Sequence, residues 1–220
     1  MSQLFRPGAN TYVRLMLAAI VIGPLTLLLL GGALARSGAA TGEGRFVEQQ
    51  VPFSHQHHAG EVGIDCRYCH TGVETSANAN VPPTHTCMTC HSQIWTGAPV
   101  LEPVRQSMAT GEPIHWQRVA QLPDYVYFDH SIHIDRGVAC RDCHGDVTDM
   151  PLMRRAKPFT MEFCLDCHRD PAPALGPAEL VTRPEPVEWS EEQKRAYGKN
   201  VMHELGIEVD ELDNCGVCHR

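Results

Sequence analysis

Several things are scarce in this chain of 220 residues. There is no surplus of basic charge: 18 Lys and Arg stand against 26 Asp and Glu, a formal net charge of −8. A phosphate-binding face needs such a surplus, so nucleic acid is excluded as a partner. Apolar residues make up 43% of the chain, and part of that share sits in one N-terminal run. The remainder, broken by 16 Pro and 18 Gly, is too polar to build a large side-chain core. It must find burial elsewhere. No sustained polar–apolar alternation appears, which leaves short helices joined by loops and little or no sheet. Nor does any cysteine stand alone. All ten fall into Cys-x-x-Cys pairs, so none remains for a disulfide framework.

What is abundant is that cysteine, together with 13 histidines. The pairs are Cys66/Cys69, Cys87/Cys90, Cys140/Cys143, Cys164/Cys167 and Cys215/Cys218, and a histidine follows each at once: His70, His91, His144, His168 and His219. This is the attachment signature of c-type haem. Two thiols add across the two vinyl groups of one porphyrin, which fixes their spacing. The histidine, four residues after the first cysteine, shares its helical face and reaches the iron as proximal ligand. Structural zinc also uses Cys-x-x-Cys pairs, but it gives no reason for histidine after all five. At this histidine frequency chance supplies that on the order of one time in a million. Five covalent haems and no zinc is the expectation. Five flat apolar macrocycles also answer the missing core, because the chain can wrap them instead of packing on itself.

Eight histidines remain: His55, His57, His58, His85, His115, His130, His133 and His203. The segments "FSHQHH" and "FDHSIH" each read Phe-x-His-x-x-His ahead of two haem motifs, so 53–91 and 128–168 form a tandem repeat. Residues i and i+3 share one helical face, and their side chains can diverge to irons on either side of that turn. His55, His58, His130 and His133 are thus candidate distal ligands. The pattern resembles that of small class III multihaem cytochromes c. That resemblance implies His55 facing His70, His58 facing His91, His130 facing His144 and His133 facing His168, with His57 able to replace His58. For the fifth haem, held by His219, the candidate distal ligands are Met150, Met161, His57, His115 and His203. Methionine is a normal axial partner that raises the potential, although each Met also reads as gap filling against a porphyrin. His85 reads as a local polar contact.

The apolar run from Leu15 to Ala35 is 21 residues without a charge, long enough to span a bilayer as a helix kinked near Pro24. Arg6 and Arg14 precede it, which puts the N-terminus in the cytoplasm and the haem domain on the periplasmic or extracytoplasmic face. Ala33-Leu34-Ala35 also has the form of a signal-peptidase site, and cleavage there would equally export the rest. The expected domains are 1–36, cytoplasmic N-terminus and transmembrane anchor, and 37–220, the pentahaem domain with its fifth site at 215–219. The Pro-rich stretch 169–189 reads as extended along the surface. Ser190 and Gln193 form a capping box, and Gly206 stops the helix they open. The fold class is mainly α with extensive loop: a transmembrane helix plus a haem-packed multihaem cytochrome c domain.

Six-coordinate haems close to one another make an electron relay rather than a reaction centre, so no catalytic residue is expected. The anchor followed by "CRYCHTGVETSANANVPPTHTCMTCHSQIW", "LPDYVYFDHSIHIDRGVACRDCHG" and "MPLMRRAKPFTMEFCLDCHR" resembles the membrane-anchored pentahaem subunit of bacterial alternative complex III, over nearly the whole chain. The resemblance implies quinol oxidation by the complex, with electrons passed on to a periplasmic carrier or an oxidase. It also implies partners: an iron–sulfur subunit, integral membrane quinol-binding subunits and a monohaem cytochrome c. The alternatives are a haem subunit of a periplasmic molybdopterin reductase, a direct membrane quinol dehydrogenase, and a pentahaem enzyme with one open iron. A single span without an ionisable residue makes a poor quinol site by itself, since quinol oxidation must release protons.

Overall fold

The apolar run folds as one helix, α1 (Ala9–Arg36), of 28 residues, about 42 Å at 1.5 Å per residue. Its length and composition suit a membrane crossing, and a signal sequence would meet the same description. None of its residues is buried. Pro24 lies inside it, where the missing N–H frees a carbonyl one turn back without ending the helix. A single turn, α2 (Gly38–Thr41), follows and closes on Gly42 at φ 75°.

The chain, described here in a computed structural model, divides into two units, Met1–Glu43 and Gly44–Arg220. Residues 6, 8–185 and 188–219 are described. Positions 1–5 and 7 of the expected cytoplasmic N-terminus, 186–187 of the Pro-rich stretch, and Arg220 lie outside them.

The second unit is a series of short helices: α3 (Cys66–Cys69), α4 (Thr84–His91), α5 (Glu102–Thr110), α6 (His130–Asp135), α7 (Cys140–His144), α8 (Met161–Arg169), α9 (Glu191–Leu205), α10 (Val209–Leu212) and α11 (Cys215–Cys218). A π-helical turn, Gln56–Glu61, precedes α3. Among the described residues there is no sheet, only the isolated bridges Phe46–Arg154 and Val138–Leu175. Every Cys-x-x-Cys pair lies on a helix, and three of those helices open on a side-chain cap. Asp65 accepts from Arg67 N at 2.9 Å, Thr160 from Phe163 N at 3.3 Å, and Asn214 from Gly216 N at 3.0 Å.

Side-chain burial is thin, as the composition demands. Nine apolar residues are buried among those described. Among the described residues Val51, Leu101 and Val104 form a cluster, with Cys87, Met88, Ala98, Ile114 and Trp116 packed on it. Helix α9 begins at the expected capping box, Gln193 N to Ser190 Oγ at 3.2 Å and Ser190 N to Gln193 Oε1 at 2.8 Å. Gly206, at φ 62°, ends it. Its buried Gly198 lies against the turn Ala172–Ala174 so closely that a Cβ would stand 1.9 Å from the Ala172 carbonyl oxygen.

The expectation for 169–189 needs correcting. Pro171, Ala172, Leu175, Val181 and Thr182 are buried, and the segment makes two 3-10 turns instead of an extended surface run. The prolines interrupt helix here without holding the chain in solvent. The backbone is drawn inward because the carbonyls of Val181 and Thr182 take the N–H groups of Cys140 (3.3 Å) and Cys66 (3.2 Å), which open α7 and α3.

Candidate haem-ligating site

The two Phe-x-His-x-x-His segments build the same local object. In each, the phenylalanine ring stacks on the second histidine, Phe53 on His58 at 4.3 Å and Phe128 on His133 at 4.6 Å between centroids. It meets the first histidine edge-on, at 4.9 Å for His55 and 4.8 Å for His130. One turn of backbone therefore presents two imidazoles held apart by a ring, aimed at different motifs.

Four pairs of imidazoles face one another across a gap. The centroid separations are 6.5 Å for His55–His70, 6.1 Å for His58–His91, 6.3 Å for His130–His144 and 6.1 Å for His133–His168. A metal–nitrogen bond of about 2 Å and a nitrogen-to-centroid reach of roughly 1.1 Å put two axial imidazoles of one iron roughly 6.2 Å apart. The gaps fit. The interplanar angles are 1°, 67°, 5° and 26° in the same order.

The far nitrogens fit as well. Nδ1 bonds a backbone carbonyl in His58 (Ser54, 2.8 Å), His70 (Asn80, 2.7 Å), His91 (Ile94, 3.3 Å), His130 (Ala77, 2.8 Å), His133 (Asp129, 2.8 Å), His168 (Leu212, 2.8 Å) and His219 (Tyr125, 3.1 Å). A carbonyl only accepts, so the proton sits on Nδ1 and the Nε2 lone pair is left for a metal. His55 and His144 stand outside this set, and the His55 Nδ1 is buried without a partner. Burial pushes His55 down to about 4, helped by His70, His58 and His144. Burial also brings His144 to about 4, with His130 and His70 adding to it. His58 and His133 are lowered by burial too, against the opposing pull of their carbonyl bonds. Neutral imidazole is the ligating form.

None of the ten cysteines is in a disulfide, and each lies on a helix. Burial raises Cys69, Cys87, Cys164 and Cys167, and takes Cys143 up to about 12. Cys66 and Cys140 share a hydrogen bond that lowers the first and raises the second. Among the described residues no three His, Cys, Asp or Glu side chains converge on one point as a tetrahedral zinc site requires. The donors instead oppose each other in twos.

The fifth motif differs. His219 is exposed, and the ring beside it is Tyr125, at 5.9 Å and 27°. The five candidate partners are scattered. Met150 is buried and lies against Gly145, while Met161 is 68% exposed at the start of α8. His57 bonds Glu61 at 2.7 Å and stacks near Trp95 at 6.2 Å. His115 and His203 are exposed, as is His85.

Sequence reasoning missed the carbonyl acceptors and the Val181–Thr182 clamp, because a carbonyl leaves no side-chain signature. It quoted Phe53 and Phe128 without giving them a task. Their recurrence two residues before each histidine pair was the available signal. The bond from His219 to the Tyr125 carbonyl had no such signal.

Two comparisons bear on this geometry. Residues 126–220, which hold the third to fifth motifs, match the family of cytochrome c7 and related cytochromes c. The chain is also similar to the multiheme cytochrome c subunit of menaquinone reductase from Nitratidesulfovibrio vulgaris (strain Hildenborough), 33% identical over 98 residues. That alignment covers 44% of this chain and 46% of the relative, so the chain spans about half the length of the curated protein it matches. The C-terminal segment is thus cytochrome c7-like, and the similarity supports covalent c-type haem as its cofactor.

Proposed function

We propose that the chain is a membrane-anchored pentahaem c-type cytochrome that relays electrons in a quinone-linked membrane complex of the alternative complex III type. The four opposed imidazole pairs, each beside a Cys-x-x-Cys pair, carry the reading. Cys66/Cys69, Cys87/Cys90, Cys140/Cys143, Cys164/Cys167 and Cys215/Cys218 would hold five porphyrins by thioether bonds. His70, His91, His144, His168 and His219 are the proximal ligands, and His55, His58, His130 and His133 the distal ones. The bound group supplies a one-electron iron couple; the residues supply its axial field and exclude exogenous ligands. At seven of the nine histidines carbonyls on Nδ1 would fix ring orientation and raise ligand basicity, which favours the ferric state. With a histidine on each side of the iron at four sites, the chain would relay without catalysing, and it would need an iron–sulfur subunit, quinol-binding membrane subunits and a monohaem cytochrome c. Helix α1 is the anchor, with the Gly44–Arg220 unit on the extracytoplasmic face.

The relative's name favours a second reading of direction, in which electrons run towards menaquinone. Expression of the full chain with haem maturation tests the core of the proposal. Mass spectrometry is expected to find five added haems, and spectra to be predominantly low-spin. Unmodified thiols would sink it. Direction is decided by the purified complex: reduction of the cytochrome by a quinol analogue supports quinol oxidation, and failure of that reduction, with quinone reduced by the pre-reduced cytochrome, supports the reverse.

A further inference from the structure

The spatial order of the motifs departs from their order along the chain, and this rests on the haem reading above. We propose that the five sites are strung as second, first, third, fourth, fifth, with electrons crossing between the repeats at the first and third motifs and exchanging with partner redox proteins at the second and fifth.

Four links carry the order. The second and first motifs are joined by the π-turn, whose His58 faces His91 while His55 faces His70, and by Tyr68 Oη to Thr89 Oγ1 at 2.8 Å. The first and third are joined by the buried Val181–Thr182 peptide, whose adjacent carbonyls take Cys140 N and Cys66 N. Cys66 and Cys140 also line one small cavity together, with Arg141 and Pro184. The third and fourth are joined by α6, with His130 facing His144 and His133 facing His168, and by Phe159, 6.0 Å from His144 and 5.7 Å from Phe163 of α8. The fourth and fifth are joined by His168 Nδ1 to Leu212 O at 2.8 Å and Arg169 to Asp213 at 3.3 Å, just ahead of α11.

Exposure agrees independently. Of the ten cysteines, Cys90 and Cys215 are the exposed ones, one in each terminal motif of this order. The first, third and fourth motifs have no exposed cysteine. A donor gives one electron at one exposed end and an acceptor takes one at the other, so the chain itself undergoes no net change.

The test is an iron map of the fully matured full-length chain, by anomalous scattering or cryo-microscopy, with each iron assigned from its thioether pair. The expected result is that the first-motif iron has the second- and third-motif irons as nearest neighbours and the fifth-motif iron has one neighbour. Adjacent second- and third-motif irons overturn the order while leaving five haems intact, so this failure is separate from failure of the haem reading. A kinetic test uses a photoreductant tethered at the second motif. Cys66→Ala with Cys69→Ala is expected to abolish transfer to the fifth motif. Undiminished transfer in that variant overturns the proposal.

Discussion

The first and second repeats present the same rings on different backbones. From phenylalanine to proximal histidine the first runs over 18 residues, Phe53 to His70, and the second over 17, Phe128 to His144. The additional residue is absorbed where the backbone widens. Val62 N bonds His57 O across five residues in the π-turn, whereas Arg136 N bonds Ile132 O across four in α6. Beyond the turn the copies rejoin: Ile64 N bonds His58 O and Val138 N bonds His133 O, each donor standing two residues before the first cysteine. What is held constant is the placement of two imidazoles and a phenyl ring, at separations that agree within a few tenths of an ångström. A π-turn is a costly device that persists at functional positions. Its presence says that ring placement, not helix regularity, is what this segment must satisfy.

The comparison breaks most visibly if either repeat's first histidine is removed. His55→Ala and His130→Ala are each expected to convert one site in five from low-spin to high-spin, measured by electron paramagnetic resonance of the ferric protein, and to open it to cyanide. Equal effects would establish that the repeats are functionally equivalent. A change at His130 alone would show that the first copy has another donor, and His57, three-dimensionally close to His58 at 5.3 Å between rings, is the residue to remove next.

A second difference is sharper in spectra than in stability. The outer pair of the first repeat, His58–His91, is twisted by 67°, against 26° for His133–His168. Ligand planes near perpendicular leave two iron d orbitals nearly degenerate, which broadens the spread of g values. One low-spin signal is therefore expected to be markedly more anisotropic than the rest, and to vanish in His58→Ala but survive His133→Ala. Deleting Glu61, which is exposed and bonded to His57, brings the Phe53–His70 segment to the 17 residues of its counterpart Phe128–His144. All four opposed pairs should remain low-spin in that variant. Loss of the His58–His91 signal would mean that the extra residue sets the twist.

The motifs were legible in the sequence because covalent chemistry dictates both the cysteine spacing and the histidine that follows. The facing of His55 to His70 and His130 to His144 came instead from the resemblance to class III multihaem cytochromes c, carried over to each copy of the repeat. The order of the motifs in space was not legible. It depends on Cys66 and Cys140 sharing one peptide from residues 181–182, a contact over more than forty residues made by backbone atoms. The stretch 169–189 misled for the same cause: proline content reports where helix stops, and says nothing about what the carbonyls on either side will meet. Tyr125, whose carbonyl and ring both attend His219, belongs to a loop with no periodic signal at all.

The smallest expected effect lies at the seam, where the two repeats differ by one cap. Asp65 caps α3 through Arg67 N, pairs with the Arg67 side chain at 3.0 Å and accepts from Thr182 Oγ1 at 3.2 Å. The matching position in the second repeat is Ala139, and Arg141 there reaches the Pro184 carbonyl instead. Asp65→Ala should cost about 1 kcal/mol, as loss of an N-cap does. Ala139→Asp should recover less than that, roughly 0.5 kcal/mol, because Arg141 is already engaged. Burial alone would raise the Asp65 carboxyl, but hydrogen bonds from Arg67 outweigh it and hold the group below the usual carboxylate range. A depressed folded pKa stabilises above the unfolded value and is lost as pH falls through the folded one. The gap in melting temperature between the natural chain and Asp65→Ala is thus expected to be full at neutral pH and to close in acid below the ordinary aspartate range. A gap that stays constant on acidification would mean that Asp65 holds the seam by packing, and that the two repeats meet on equal terms.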